Sequence, residues 1–101
     1  MKTLFTPTEW EKAKTYPGLI KMPAKRRGHW IQSYIFRLRD MGYPRIHFEV
    51  CEKTNDFITI SFHIDWTKHD YSTSEDVIIR NFVKKLKSYA QEGNDNGLQR
   101  L

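Results

Sequence analysis

Pro23-Ala24-Lys25-Arg26-Arg27-Gly28-His29-Trp30-Ile31-Gln32-Ser33-Tyr34-Ile35-Phe36-Arg37-Leu38-Arg39-Asp40-Met41-Gly42-Tyr43-Pro44 is the stretch on which the fold turns. Ile31, Tyr34, Ile35, Leu38 and Met41 recur at three- and four-residue spacing, as on one apolar helix face. That spacing predicts a helix from about Ala24 or Gly28 to Met41, capped by Gly42 and stopped by Pro44. Phe36 falls off the stripe, beside Gln32 and Arg39, and is expected either to make a second contact or to be exposed.

Upstream, Phe5-Thr6-Pro7-Thr8-Glu9-Trp10 contains every part of a helix N-terminus. Thr6 is the N-cap, Pro7 takes the first helical position, Glu9 completes a capping box, and Phe5 and Trp10 form a hydrophobic staple. The helix is expected from Pro7 to about Tyr16, ended by Pro17-Gly18. Leu19-Ile20-Lys21-Met22 is too short to classify.

Downstream, the period changes to two. Ile46, Phe48 and Val50 alternate with polar residues, as do Ile58, Ile60, Phe62, Ile64 and Trp66, so two half-buried strands are expected. A loop over Thr54 to Asp56 sets Val50 opposite Ile60 and Phe48 opposite Phe62; a two-residue loop would set apolar against polar. Ser72 and Glu75 stand at capping-box spacing before a last helix carrying Ile78, Ile79, Phe82, Val83, Leu86, Tyr89 and Ala90 on one face.

The expected class is therefore α+β in the order helix-helix-strand-strand-helix. An antiparallel hairpin is covered on one face by helices, and a short third strand is to be supplied by Met1–Phe5, Leu19–Met22 or another subunit. Residues 1–92 are expected as a single domain and 93–101, where glycine and asparagine break the periodicity, as a mobile C-terminal tail. A chain of 101 residues supports one core, and 39 % hydrophobic with 14 % aromatic residues is too rich for intrinsic disorder. The single Cys51 forms no internal disulfide and no apolar run reaches membrane-spanning length, so the expected location is the cytoplasm.

Charge is the most informative functional feature. The net +5 hides an asymmetry: residues 1–45 carry ten Lys or Arg against Glu9, Glu11 and Asp40, and residues 46–101 are net acidic. Lys21, Lys25, Arg26, Arg27, Arg37, Arg39 and Arg45 are the candidate contacts, Lys25-Arg26-Arg27 standing where the expected second helix would also offer its N-terminal N–H groups to an anion. Arg80, Lys84 and Lys87 line the far face of the last helix, and Lys84 extends the candidate set. Trp30 and Phe36 are candidate stacking residues for unpaired bases, although Trp30 and Tyr34 adjoin the apolar stripe and so read first as core.

This pattern leads to a small non-enzymatic binding module for a polyanionic surface, with nucleic acid, DNA or RNA, as first candidate. The alternative is a protein-binding inhibitor or adaptor that docks on another protein's acidic or nucleic-acid-binding surface. No membrane, small-molecule substrate or cofactor is inferred. The hairpin register pairs His47 with His63, Glu49 with Ser61, Cys51 with Thr59 and Arg45 with Asp65 on the polar face. Such a histidine pair can share a metal, but its spacing matches no established zinc pattern, and no metal is assigned. Cys51 with His47 or His63, and His63 with Asp65, are the nearest approach to a catalytic arrangement. No P-loop, nucleophile elbow or HExxH motif accompanies them, so no catalytic residue is assigned.

Overall fold

The computed structural model describes residues 1–39, 44–66 and 75–99, with residues 93–99 described by backbone alone. The elements run β1 (Lys2–Phe5), α1 (Pro7–Ala13), β2 (Leu19–Lys21), β3 (Ala24–Arg26), β4 (His29–Ile31), β5 (Ser33–Arg37), β6 (Arg45–Lys53), β7 (Ile58–Asp65) and α2 (Glu75–Gln99). Five strands form one antiparallel sheet in the order β1-β7-β6-β5-β2, and β3-β4 form a separate two-stranded ribbon.

The expected order helix-helix-strand-strand-helix is overturned, because the stretch predicted as the second helix is β3, β4 and β5. Residues 19–37 make one long hairpin with a constant register. Leu19 lies opposite Phe36, Lys21 opposite Tyr34, Ala24 opposite Ile31 and Arg26 opposite His29. The Met22 N–H bridges the two parts at 2.8 Å from the Ser33 carbonyl oxygen. The turn is Arg27-Gly28, with φ of 51° and 81°. Positive φ at both central residues marks the type I′ turn, whose twist suits a tight hairpin.

Within that stretch, residues 33–37 form β5, a central strand between β2 and β6 with buried residues on both faces, so Tyr34 and Ile35 read as neighbours on a helical stripe. Tyr34 and Phe36 face the helices, while Ser33 and Ile35 are buried on the opposite side. A strand covered on both sides loses its period-two signature.

Local expectations fare better at the N-terminus. Thr6 caps α1 in a complete capping box with Glu9, and the Phe5 and Trp10 rings meet edge-on at 5.7 Å. The helix stops at Ala13, short of Tyr16, because the Thr15 and Tyr16 N–H groups bond the carbonyls three residues back.

The β6–β7 register pairs Val50 with Ile60, Phe48 with Phe62, His47 with His63, Glu49 with Ser61 and Arg45 with Asp65, as expected. The expected pairing of Cys51 with Thr59 is displaced by a bulge, beyond which Glu52 takes Thr59. The loop accordingly lengthens by one residue, with Lys53 facing Ile58.

One core lies between the sheet and both helices. Tyr34, Phe48 and Phe62 stack across three neighbouring strands at 5.6 and 5.0 Å, and Phe82 of α2 and Trp10 of α1 close over them. Phe36 belongs here too, its ring 4.8 Å from Phe82. The capping role expected of Ser72 lies outside the described residues, as do Met41 and Gly42; Glu75 accepts the Ile64 N–H at 2.9 Å instead. The backbone of α2 continues to Gln99, and the remainder of the expected tail lies outside the described residues. Among the described residues, no helix is long and apolar enough to cross a membrane.

Candidate functional site

The β3–β4 ribbon extends the β2–β5 hairpin past Pro23, an imino acid with no N–H to continue the ladder. Lys25, Arg26, Arg27, Gly28, His29 and Trp30 are all exposed on it. Lys25 and Trp30 face each other across the ribbon, and the ammonium sits 4.9 Å above the indole ring. Even with that cover, Trp30 is 68 % exposed, the largest exposure among the described large hydrophobic residues. Its expected place in the core is therefore overturned: the ribbon lies outside the main sheet, and among the described residues no helix packs over the indole.

Trp30 stands between two grooves. One of about 400 Å³ is lined by Lys21, Met22, Pro23, Trp30, Ile31 and Gln32. The other, of about 290 Å³, runs from Trp30 toward Cys51 and Lys53.

The basic residues divide by location. Lys21, Lys25, Arg26 and Arg27 belong to the β2–β3 arm and its turn. Arg26 also pairs with Glu49 of β6, Nη2 lying 3.1 Å from Oε2. Arg37 and Arg45 face each other at the far end of β5, up to about 26 Å from the ribbon tip at 3.3 Å per residue. Arg39 is exposed just beyond Arg37. Lys84 lies on the outer side of α2 by a groove lined by Tyr16 and Tyr89. Lys87 leaves the predicted basic stripe: it lies over the Phe5 ring, bonds the Leu4 carbonyl and pairs with Glu9 at 3.6 Å. Two further corrections follow from the loss of the second helix. No helix N-terminus stands at Lys25–Arg27, and the core contacts of Phe36 remove it as a stacking surface.

The other polar constellation is on the sheet face opposite the helices. The Ser33 Oγ lies 2.7 Å from His47 Nε2, and His47 Nδ1 lies 3.1 Å from His63 Nε2. That same His63 nitrogen is 3.2 Å from Asp65 Oδ1, while Arg45 Nε donates to Oδ2 at 3.0 Å. Burial holds the His47 pKa below its ordinary value, helped by His63 and opposed by Asp65 and Glu49. The Cys51 thiol donates to the Thr59 carbonyl oxygen at 3.4 Å.

Comparison with known protein families, curated proteins and solved structures finds no match to this chain. The site therefore has to be read from its own chemistry. Two features escaped the sequence reading: the exposure of Trp30, for which Arg27-Gly28 as a hairpin turn was the available signal, and the convergence of Asp65 on the histidine pair. His63 and Asp65 are about 7 Å apart along a strand, and their contact depends on side-chain rotamers that spacing does not specify.

Proposed function

We propose that this protein is a non-enzymatic nucleic-acid-binding module whose contact element is the β3–β4 ribbon. The observation that carries the reading is Trp30: a 68 % exposed indole on a two-stranded arm, with Lys25 across the arm and Lys21 in the adjoining groove. Phosphates attract the cations and release counterions, and an unpaired base stacks on the indole. An acidic protein surface would use the same cations. The aromatic platform favours single-stranded nucleic acid, since every base offers a π-face and a carboxylate does not.

The test is fluorescence anisotropy with labelled single-stranded DNA, single-stranded RNA and duplex oligonucleotides at two salt concentrations. Single strands are expected to bind saturably and to weaken with salt, with a log–log slope of about −0.7 per neutralised phosphate. Trp30→Ala is expected to cost about 1–3 kcal/mol of that binding without loss of fold, as for removal of one stacking aromatic. Absence of binding at low salt to every oligonucleotide defeats the proposal.

A further inference from the structure

On the sheet face opposite the helices, three ligand-type atoms meet with few protons to share among them. His47 Nδ1, His63 Nε2 and Asp65 Oδ1 converge there, with contacts of 3.1 and 3.2 Å. A neutral imidazole carries one ring proton. If that of His47 is on Nε2, it goes to Ser33 Oγ, and the proton of His63 Nε2 is shared between two acceptors, Nδ1 and Oδ1. If it is on Nδ1, it occupies the lone pair of His63 Nε2, which then has no proton for the carboxylate beside it. With both rings neutral, these arrangements leave one proton among three ligand-type atoms, and His47 protonated on Nε2 opposite His63 protonated on Nδ1 leaves none, whereas a divalent cation would engage all three.

We propose that His47, His63 and Asp65 form a binding site for a divalent transition metal of the zinc class. Bonds of about 2.0–2.1 Å in a tetrahedron set ligand atoms about 3.3 Å apart, close to the two short contacts found here. The three ligand atoms lie within 4.8 Å of one another. Closing the longest separation asks for at most about 1.5 Å of side-chain movement, which the partly exposed His63 and Asp65 side chains can make.

The surroundings match those of a metal centre. Ser33, fully buried, stands at the far nitrogen of His47, where its hydroxyl oxygen can accept the Nε2 proton of an imidazole that ligates through Nδ1 and so orient the ring. Arg45 holds Oδ2 and so turns Oδ1 toward the imidazoles. Two imidazoles and one carboxylate suit zinc and its neighbours better than calcium or magnesium, which prefer all-oxygen shells. Three protein ligands at a solvent-facing position leave the fourth for water or an exogenous donor.

Untagged, metal-free protein titrated with Co²⁺ and followed by visible absorption tests the site directly. The expected result is one equivalent bound, displaced by Zn²⁺ and unaffected by excess Mg²⁺. His63→Ala and Asp65→Asn should each weaken binding by at least about tenfold, and Ser33→Ala by roughly 10- to 100-fold. His29→Ala, on the ribbon, should leave it unchanged. Thermal melts verify that the variants fold, and Zn²⁺ should raise the melting temperature of the parent but not of His63→Ala. No saturable Co²⁺ uptake by the parent, or uptake that either His63→Ala or Asp65→Asn leaves unchanged, overturns the proposal.

Discussion

Glu49 on β6 holds Arg26 near the tip of the ribbon, with one guanidinium nitrogen 3.3 and 3.1 Å from its two carboxylate oxygens. The pair ties an otherwise projecting arm to the sheet and neutralises one of its cations. Glu49→Gln should change stability by no more than about 1 kcal/mol, because the Arg26 side chain is 59 % exposed. The same change frees a charge for phosphate, so single-strand affinity should rise and the salt slope steepen by about 0.7. Titrations at several salt concentrations measure both, and an unchanged slope removes Arg26 from the contact surface.

The ribbon depends on its turn. Gly28 has φ of 81° and nothing within 4 Å of where a Cβ would sit, so Gly28→Ala costs backbone strain alone, about 1 kcal/mol. Arg27 adopts φ of 51° without glycine's freedom. Arg27→Asn should be neutral or stabilising by a few tenths of a kcal/mol, since asparagine tolerates this region better. Urea midpoints at constant m-value report both effects.

Gln32 links the hairpin to α1. Its Oε1 accepts from the Trp10 indole N–H at 3.1 Å, and Trp10 is only 1 % exposed. Gln32→Ala should destabilise by about 1–3 kcal/mol by stranding a buried donor, while Gln32→Glu retains an acceptor and should lose less. Equal losses in chemical denaturation would mean that the hydrogen bond is not the cause.

Glu9 makes stability pH-dependent. Burial raises its pKa, but the Thr6 backbone and hydroxyl bonds together with Lys87 outweigh burial and hold the carboxyl below 4.5. A depressed folded-state value stabilises the fold above the unfolded pKa, and that contribution disappears as pH falls through the folded one. The stability gap between the parent and Glu9→Gln should therefore be widest near neutrality and close on acidification below about pH 4.5. Paired denaturation curves across that range check the sign.

How much of this could be read from the chain depended on the range of the interactions involved. Thr6, Pro7 and Glu9 fold their own backbone neighbours, so the start of α1 was legible from six residues. The β6–β7 register was legible because one face of each strand is apolar and a one-residue slip would invert it, although the bulge at Cys51 left no comparable mark. The hydrogen-bonded contact of His63 with Asp65 was not legible, since it depends on rotamers set around Arg45 and His47.

By itself, then, the sequence determined the cap, the alternating hairpin, a single core and the concentration of positive charge in residues 21–45. The tertiary structure decided that this basic segment is a ribbon and a central strand. Spacing alone favours a helix for Ile31, Tyr34, Ile35 and Leu38, whereas pairing with β2 on one side and β6 on the other makes the middle of that stretch, residues 33–37, a central strand with Ile31 on the ribbon before it. Because Trp30 falls on the arm beyond that sheet rather than on a helix packed against it, the side chain that read first as core is the most exposed indole of the described chain.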